Sequence, residues 1–174
     1  MGKTLRRLLI WGGLGIFLVI LGVGLLRSQQ GQVGTGQPAP DFTLESFSGD
    51  RYQLSDYQGS VVLVNFWASW CESCKPEAVD LENAWRFYQK RGDVLFLGVD
   101  YVDTRPEALA YLEEFQITYP NGPDLRTEIS QAFRIRGVPE TFIIDRQGRI
   151  AHVQIGPFAS QEEIQALIDP LLSQ

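Results

Sequence analysis

The sequence predicts an α/β fold, a mixed central sheet flanked by helices on both faces, and three observations carry that expectation. Val61 to Val64 is a continuous aliphatic, β-branched run, the pattern of a strand buried on both faces. It leads through Phe66, Trp67 and Trp70 into a Cys-x-x-Cys pair, Cys71 and Cys74, and then into Val79, Leu81, Ala84, Trp85 and Tyr88 at helical spacing. Beyond that, short strand-like runs alternate with capped helical ones in the order ββ-β-α-β-α-α-β-β-α, without internal repeat.

From the N-terminus, Leu8 to Leu26 carries no charge over nineteen residues, which at ~1.5 Å per residue spans roughly 28 Å, close to a bilayer core. Lys3, Arg6 and Arg7 precede this run and only Arg27 follows. The bias predicts an uncleaved signal-anchor with residues 1–27 comprising a cytoplasmic N-terminus and a transmembrane helix, and the remainder extracytoplasmic. A cleaved signal peptide fits less well, because the run exceeds the ~7–15 residues of an ordinary apolar region and no A-x-A-like site follows closely. Ser28 to Pro40 reads as a Gly/Gln/Pro-rich spacer, so residues 28–37 are assigned to a flexible linker and 38–174 to one domain.

That domain opens with Asp41–Leu44 and Arg51–Leu54 around Ser48-Gly-Asp50, an expected β-hairpin. Ser55–Tyr57 turns into the central strand. After the Cys-x-x-Cys helix, which is expected to run to about Lys90, Val94–Val99 reads as a second buried strand. Thr104 as N-cap with Pro106 just inside opens a helix to about Phe115. Tyr119–Asp124 reads as a loop and Leu125–Phe133 as a short helix. Thr141–Ile144 and Ile150–Ile155 form a hairpin around Asp145–Gly148, and Ser160 with Glu163 makes a capping box for a last helix to about Leu172.

Lys3, Arg6, Arg7 and Arg27 are four of the 15 basic residues, so the domain holds 11 basic against 21 acidic ones, a net charge of −10. That argues against nucleic acid as a partner and for a domain held off an anionic membrane surface. The chain has only two cysteines. A disulfide between residues three apart closes too short a loop to constrain the unfolded chain much, and a structural zinc site would need two more ligands where His152 supplies at most one. Redox exchange needs only the two sulfurs, one of them activated, and Cys71 sits where a strand becomes a helix and the helix dipole favours a thiolate. Cys71 is therefore expected to be the nucleophile and Cys74, one turn inward, the resolving thiol.

The chain resembles the thioredoxin superfamily, and within it the membrane-anchored thiol-disulfide oxidoreductases of the TlpA/ResA/CcmG type. The resemblance rests on Ala39–Leu44, Leu54–Tyr57, Val64–Lys75, the additional helix and loop between Asp100 and Leu125, and Gly137–Asp145. It implies a thioredoxin-like fold with an N-terminal β-hairpin and an inserted helix. It implies that Pro139, after Val138, is cis and faces the cysteine pair. Asn65 occupies the place of the buried aspartate of thioredoxin, and Glu77 matches the glutamate of the clade's Cys-x-x-Cys-[Lys/Arg]-x-Glu pattern, the candidate to handle protons in its stead. Glu72 and Glu140 are expected near the sulfurs, so that carboxylates outweigh Lys75 and disfavour the thiolate, which leans towards a reductant. Trp67 and Trp70 are expected to pack in the core and shield the cysteines.

The activity expected is reduction of disulfides in client proteins, apocytochrome c among the candidates, with a membrane thiol-reductant as electron donor and no cofactor or metal beyond the Cys71–Cys74 pair. Two rivals fit worse. A peroxiredoxin-like peroxidase would want proline and threonine where Val64 and Ala68 stand, and a copper-delivery protein would want Cys-x-x-x-Cys spacing.

Overall fold

The computed structural model describes residues 2, 11–22 and 33–173 and divides into two units, 1–32 and 33–174. In the first unit residues 11–22 form a helix, α1, with exposed apolar side chains that include Trp11, Ile16, Phe17 and Ile20. The apolar run Leu8–Leu26 lies partly outside the described residues, and among those described no helix is long and apolar enough to cross a membrane.

The second unit is built on a five-stranded mixed sheet of order β5-β4-β3-β6-β7. Its centre is β3 (Val61–Trp67), buried along its whole length as its composition demands. β3 runs parallel to β4 (Val94–Tyr101), which is parallel to β5 (Asn121–Asp124). On the other side β3 is antiparallel to β6 (Glu140–Ile144), and β6 to β7 (Ile150–Ile155). The expected hairpin forms as a separate pair, β1 (Thr43–Glu45) with β2 (Arg51–Gln53), followed by a 3-10 turn at Leu54–Tyr57.

Alternate residues of β3 supply two cores. Val62, Val64 and Phe66 pack with Phe42, Leu44, Phe133 and Phe142 beneath the hairpin and α4 (Glu128–Phe133). Val61 and Leu63 pack with Leu81, Ala84 and Tyr88 of α2 (Lys75–Tyr88) and with Ile164 and Ile168 of α5 (Gln161–Ile168). A third cluster, Trp67, Ala68, Cys71, Cys74 and Ala78, is closed by Ala108 and Tyr111 of α3 (Arg105–Glu114).

The structure departs from the sequence-based expectations at several places. Asn121–Asp124 is not loop but strand β5; its turn-like composition is tolerated because it lies at a sheet edge, where Pro123 forfeits no ladder bond the sheet needs. Residues 33–40 do not form a free spacer: Val33 is buried in the core, Gly36 N donates to Ile150 O at 2.7 Å, and Pro38 bridges to Arg149. Val79 is exposed, because the buried face of α2 runs through Ala78, Leu81, Ala84 and Tyr88. The Thr104 hydroxyl does not cap the backbone of α3 but donates to Glu107 Oε2 at 2.8 Å. At α5 Ser160 Oγ does accept from Glu163 N, while Glu163 reaches one residue further back than a capping box requires, to Ala159 N.

Candidate active site

β3 carries the chain to the end of the sheet, and residues 68–74 cross from there to the start of α2. Cys71 N donates to Ala68 O, and Cys74 N to Cys71 O, both at 3.1 Å, so the pair is folded into successive tight turns. Cys74 is the N-cap of α2 rather than a residue one turn inside it, and both cysteines precede the helix. Their sulfurs are joined in a disulfide. Both side chains are buried, Cys71 at 4% exposure and Cys74 at 1%, with Ser73 Oγ 3.4 Å from the Cys71 sulfur. A positive helix end facing two sulfurs stabilises whichever becomes a thiolate.

Three elements hold this turn. From α3, the Tyr111 hydroxyl donates to Cys74 O at 3.1 Å, and its ring stacks on Trp67 at 4.5 Å between centroids. From β5, Asn121 Oδ1 accepts from Trp67 Nε1 at 2.8 Å. From the loop after β4, Asp103 Oδ2 accepts from Ser69 N at 2.7 Å. Gly98 is required for the second of these contacts, since a Cβ there would overlap the Asn121 amide. Tyr111, Asn121 and Asp103 gave no sign of this role in the sequence, because an aromatic in a helix and polar residues in a turn-rich stretch are unremarkable until the inserted segment folds back over Trp67.

Glu77, at the third position of α2, is not a solvated first-turn residue but lies at 1% exposure. Its Oε1 accepts from Asn65 Nδ2 at 2.9 Å and its Oε2 from Phe158 N at 3.0 Å. Burial outweighs these two donors and pushes its carboxyl up to about 7. Asn65, in the middle of β3, divides its two amide protons between Glu77 and Thr141 Oγ1, the latter at 2.9 Å. The Val138–Pro139 peptide bond is cis, and Val138 packs against the cluster that contains both cysteines. Glu140, directly after it, is buried and accepts from Arg136 N at 2.9 Å, which closes the loop that presents the proline.

Two expectations about this site need correction. Trp70 is exposed rather than packed over the cysteines; its Nε1 reaches Val102 O at 3.4 Å and its ring meets Tyr101 edge-on. Glu72 is also exposed, and its ion pair with Lys75 at 2.7 Å offsets both charges, whereas Glu77 and Glu140 are buried. His152 lies in β7, its ring 3.3 Å from Gln154 Oε1. No group of three or more His, Cys, Asp or Glu side chains suited to a metal ion occurs among the described residues.

The AhpC/TSA family profile matches residues 35–153. A thiol-disulfide oxidoreductase ResA of Geobacillus thermodenitrificans is 31% identical over 130 residues, covering 75% of this chain and 74% of its own. A thiol:disulfide interchange protein DsbE of Allochromatium vinosum is 39% identical over 140 residues, covering 76% and 74%. Among solved structures, a putative thiol:disulfide interchange protein DsbE from Chlorobium tepidum superposes with a TM-score of 0.73 at 27% identity, over 80% of this chain and 99% of that one.

Proposed function

The chain belongs to the AhpC/TSA family, and we propose that within it this protein is an extracytoplasmic, membrane-tethered reductant of client disulfides. The coarser activity is that of a thiol-disulfide oxidoreductase of the ResA/DsbE type acting through its Cys71–Cys74 pair. The observation that carries the reading is the pair itself: two bonded sulfurs at the positive end of α2, flanked by the Val138–cis-Pro139 loop. Peroxidase chemistry, also housed in this family, is not favoured, because Val64 and Ala68 stand where a peroxide site would place proline and threonine.

In the reaction, the Cys71 thiolate attacks one sulfur of a client disulfide, a mixed disulfide forms and the client's other sulfur leaves as a thiolate. The Cys74 thiolate then attacks Cys71 Sγ, which releases the second client thiolate and leaves the Cys71–Cys74 disulfide; two electrons have passed to the client. Glu77, poised near neutrality in a buried site, is the group that takes and returns the inner proton. The cysteine pair carries the electrons without a further cofactor, and a membrane thiol-reductant restores the dithiol. The apolar run Leu8–Leu26 and the basic residues before it support the tether and its orientation. Apocytochrome c is the client class that the resemblance brings forward.

The test is a Cys74→Ser variant expressed in membranes. It should accumulate mixed disulfides through Cys71 that dithiothreitol releases and that a Cys71→Ser/Cys74→Ser double variant lacks. Equal recovery from the double variant would contradict the reading.

A further inference from the structure

Asp100, near the C-terminal end of β4, is fully buried, and no donor reaches either of its carboxyl oxygens. An ionised carboxylate left without a donor in such a place is costly, whereas a protonated one needs only an acceptor for its O–H. Asp103, three residues on and itself buried, is the candidate acceptor, with its oxygens fixed by Ser69 N and Thr104 N, each at 2.7 Å. Between them Val102 adopts φ +48°, a costly conformation for a β-branched residue that persists only where its surroundings impose it.

We propose that Asp100 is a positioning residue for the reactive cysteine: it is protonated at neutral pH, donates its proton in a hydrogen bond to Asp103, and so steadies the carboxylate that anchors Ser69 and the turn leading to Cys71. Ionisation of Asp100 in mild alkali removes that hydrogen bond, sets two negative charges side by side behind the turn, and disfavours the Cys71 thiolate.

The surroundings leave Asp103 as the charged group that faces Asp100. Its register neighbours on β3 and β5 are Trp67 and Pro123. On α3, Arg105 turns to Phe47, through its carbonyl and its ring, Glu107 to Thr104 and Tyr111 to Cys74. Asp124 of β5 is engaged by Ser130, and Glu77 of α2 by Asn65 and Phe158. Burial and the Asp103 charge together push the Asp100 carboxyl up to about 8, which agrees with the geometry.

The proposal rests on Cys71 as the attacking thiol, and its test separates the two. Reduced native protein and Asp100→Asn are alkylated with sub-stoichiometric iodoacetamide between pH 6 and 10, and the labelled cysteine is identified by mass spectrometry. Asparagine also donates to Asp103 but cannot ionise, so the two profiles should share one shape below pH 7. Above pH 8 the native rate should fall about two- to threefold below that of the variant, as expected for two coupled titrations. Superimposed profiles with Cys71 labelled would overturn the proposal alone; label at Cys74 would overturn the assignment beneath it and the proposal with it. Should Asp100→Asn not fold, infrared spectra of Glu77→Gln serve instead. A protonated-carboxyl band at pH 7 that disappears by pH 10 is expected, and its absence at pH 7 would overturn the proposal.

Discussion

Asn65 and Glu77 meet inside the core, with Asn65 Nδ2 donating to Glu77 Oε1 at 2.9 Å, one residue from the centre of the sheet and the other from the first turn of α2. This pairing replaces what the sequence presents separately, a neutral residue in a strand and an acid near a helix start. It puts a titratable group in a site too dry to keep it charged at low cost.

Glu77→Gln should change how stability depends on pH. The carboxyl rises from 4.5 in the unfolded chain to about 7 when folded, so the folded protein holds the extra proton between those values. Its contribution is therefore complete below pH 4.5, is lost as pH rises to 7, and costs ~3 kcal/mol beyond that by linkage. The variant can keep its bonds if the Asn65 amide turns over to accept from the new amide and from the Thr141 hydroxyl. Denaturant unfolding from pH 4.5 to 8 should show Glu77→Gln gaining about 2–3 kcal/mol on the native protein. Parallel curves would show that Glu77 is not buried in this way.

The same variant should shift the redox couple only where Glu77 is charged. At pH 8 its negative charge disfavours the Cys71 thiolate, so removing it should make the potential less negative by up to about 30 mV, or 1.4 kcal/mol. At pH 6, where Glu77 is protonated, the difference should largely vanish. A shift independent of pH would point to repacking rather than charge.

Tyr111→Phe keeps the ring on Trp67 but deletes the donor to Cys74 O. A buried hydrogen bond of this kind contributes about 1 kcal/mol, so unfolding stability should drop by that amount, with faster alkylation of the reduced cysteines as the turn loosens. Unchanged stability and reactivity would remove α3 from the site.

Gly98→Ala should be more damaging than an exposed substitution in a strand. The added methyl displaces Asn121, which frees Trp67 Nε1 in a buried setting, and overpacking with a lost bond costs about 2–4 kcal/mol. Asn121→Ala combined with Gly98→Ala should recover part of the loss, because the overlap with the Asn121 amide disappears while the close approach to Trp67 Nε1 remains.

What the sequence made legible follows from strong local patterns. The buried run Val61–Val64, the Cys-x-x-Cys spacing and the Asp145–Gly148 hairpin turn each specify one local structure, and each appears where expected. β5 was illegible because Asn121-Gly-Pro-Asp124 has turn chemistry, and only an edge place beside β4 makes it a strand. The burial of Glu77 and exposure of Val79 were illegible for a related reason. The apolar stripe of α2 is set by where the helix meets Asn65, Phe158 and α5, not by its own hydrophobicity. The proposed pairing of Asp100 with Asp103 was illegible because two residues separate them, and nothing in the sequence announces the φ of +48° that Val102 takes between them.

The reduction potential of the Cys71–Cys74 couple at pH 7, read by equilibrating the domain against glutathione, separates a reductant from an oxidant. A reductant of client disulfides should lie on the thioredoxin and glutaredoxin side, more negative than about −200 mV. A value between about −180 and −120 mV, where protein disulfide isomerase and the strong oxidants lie, would contradict the account.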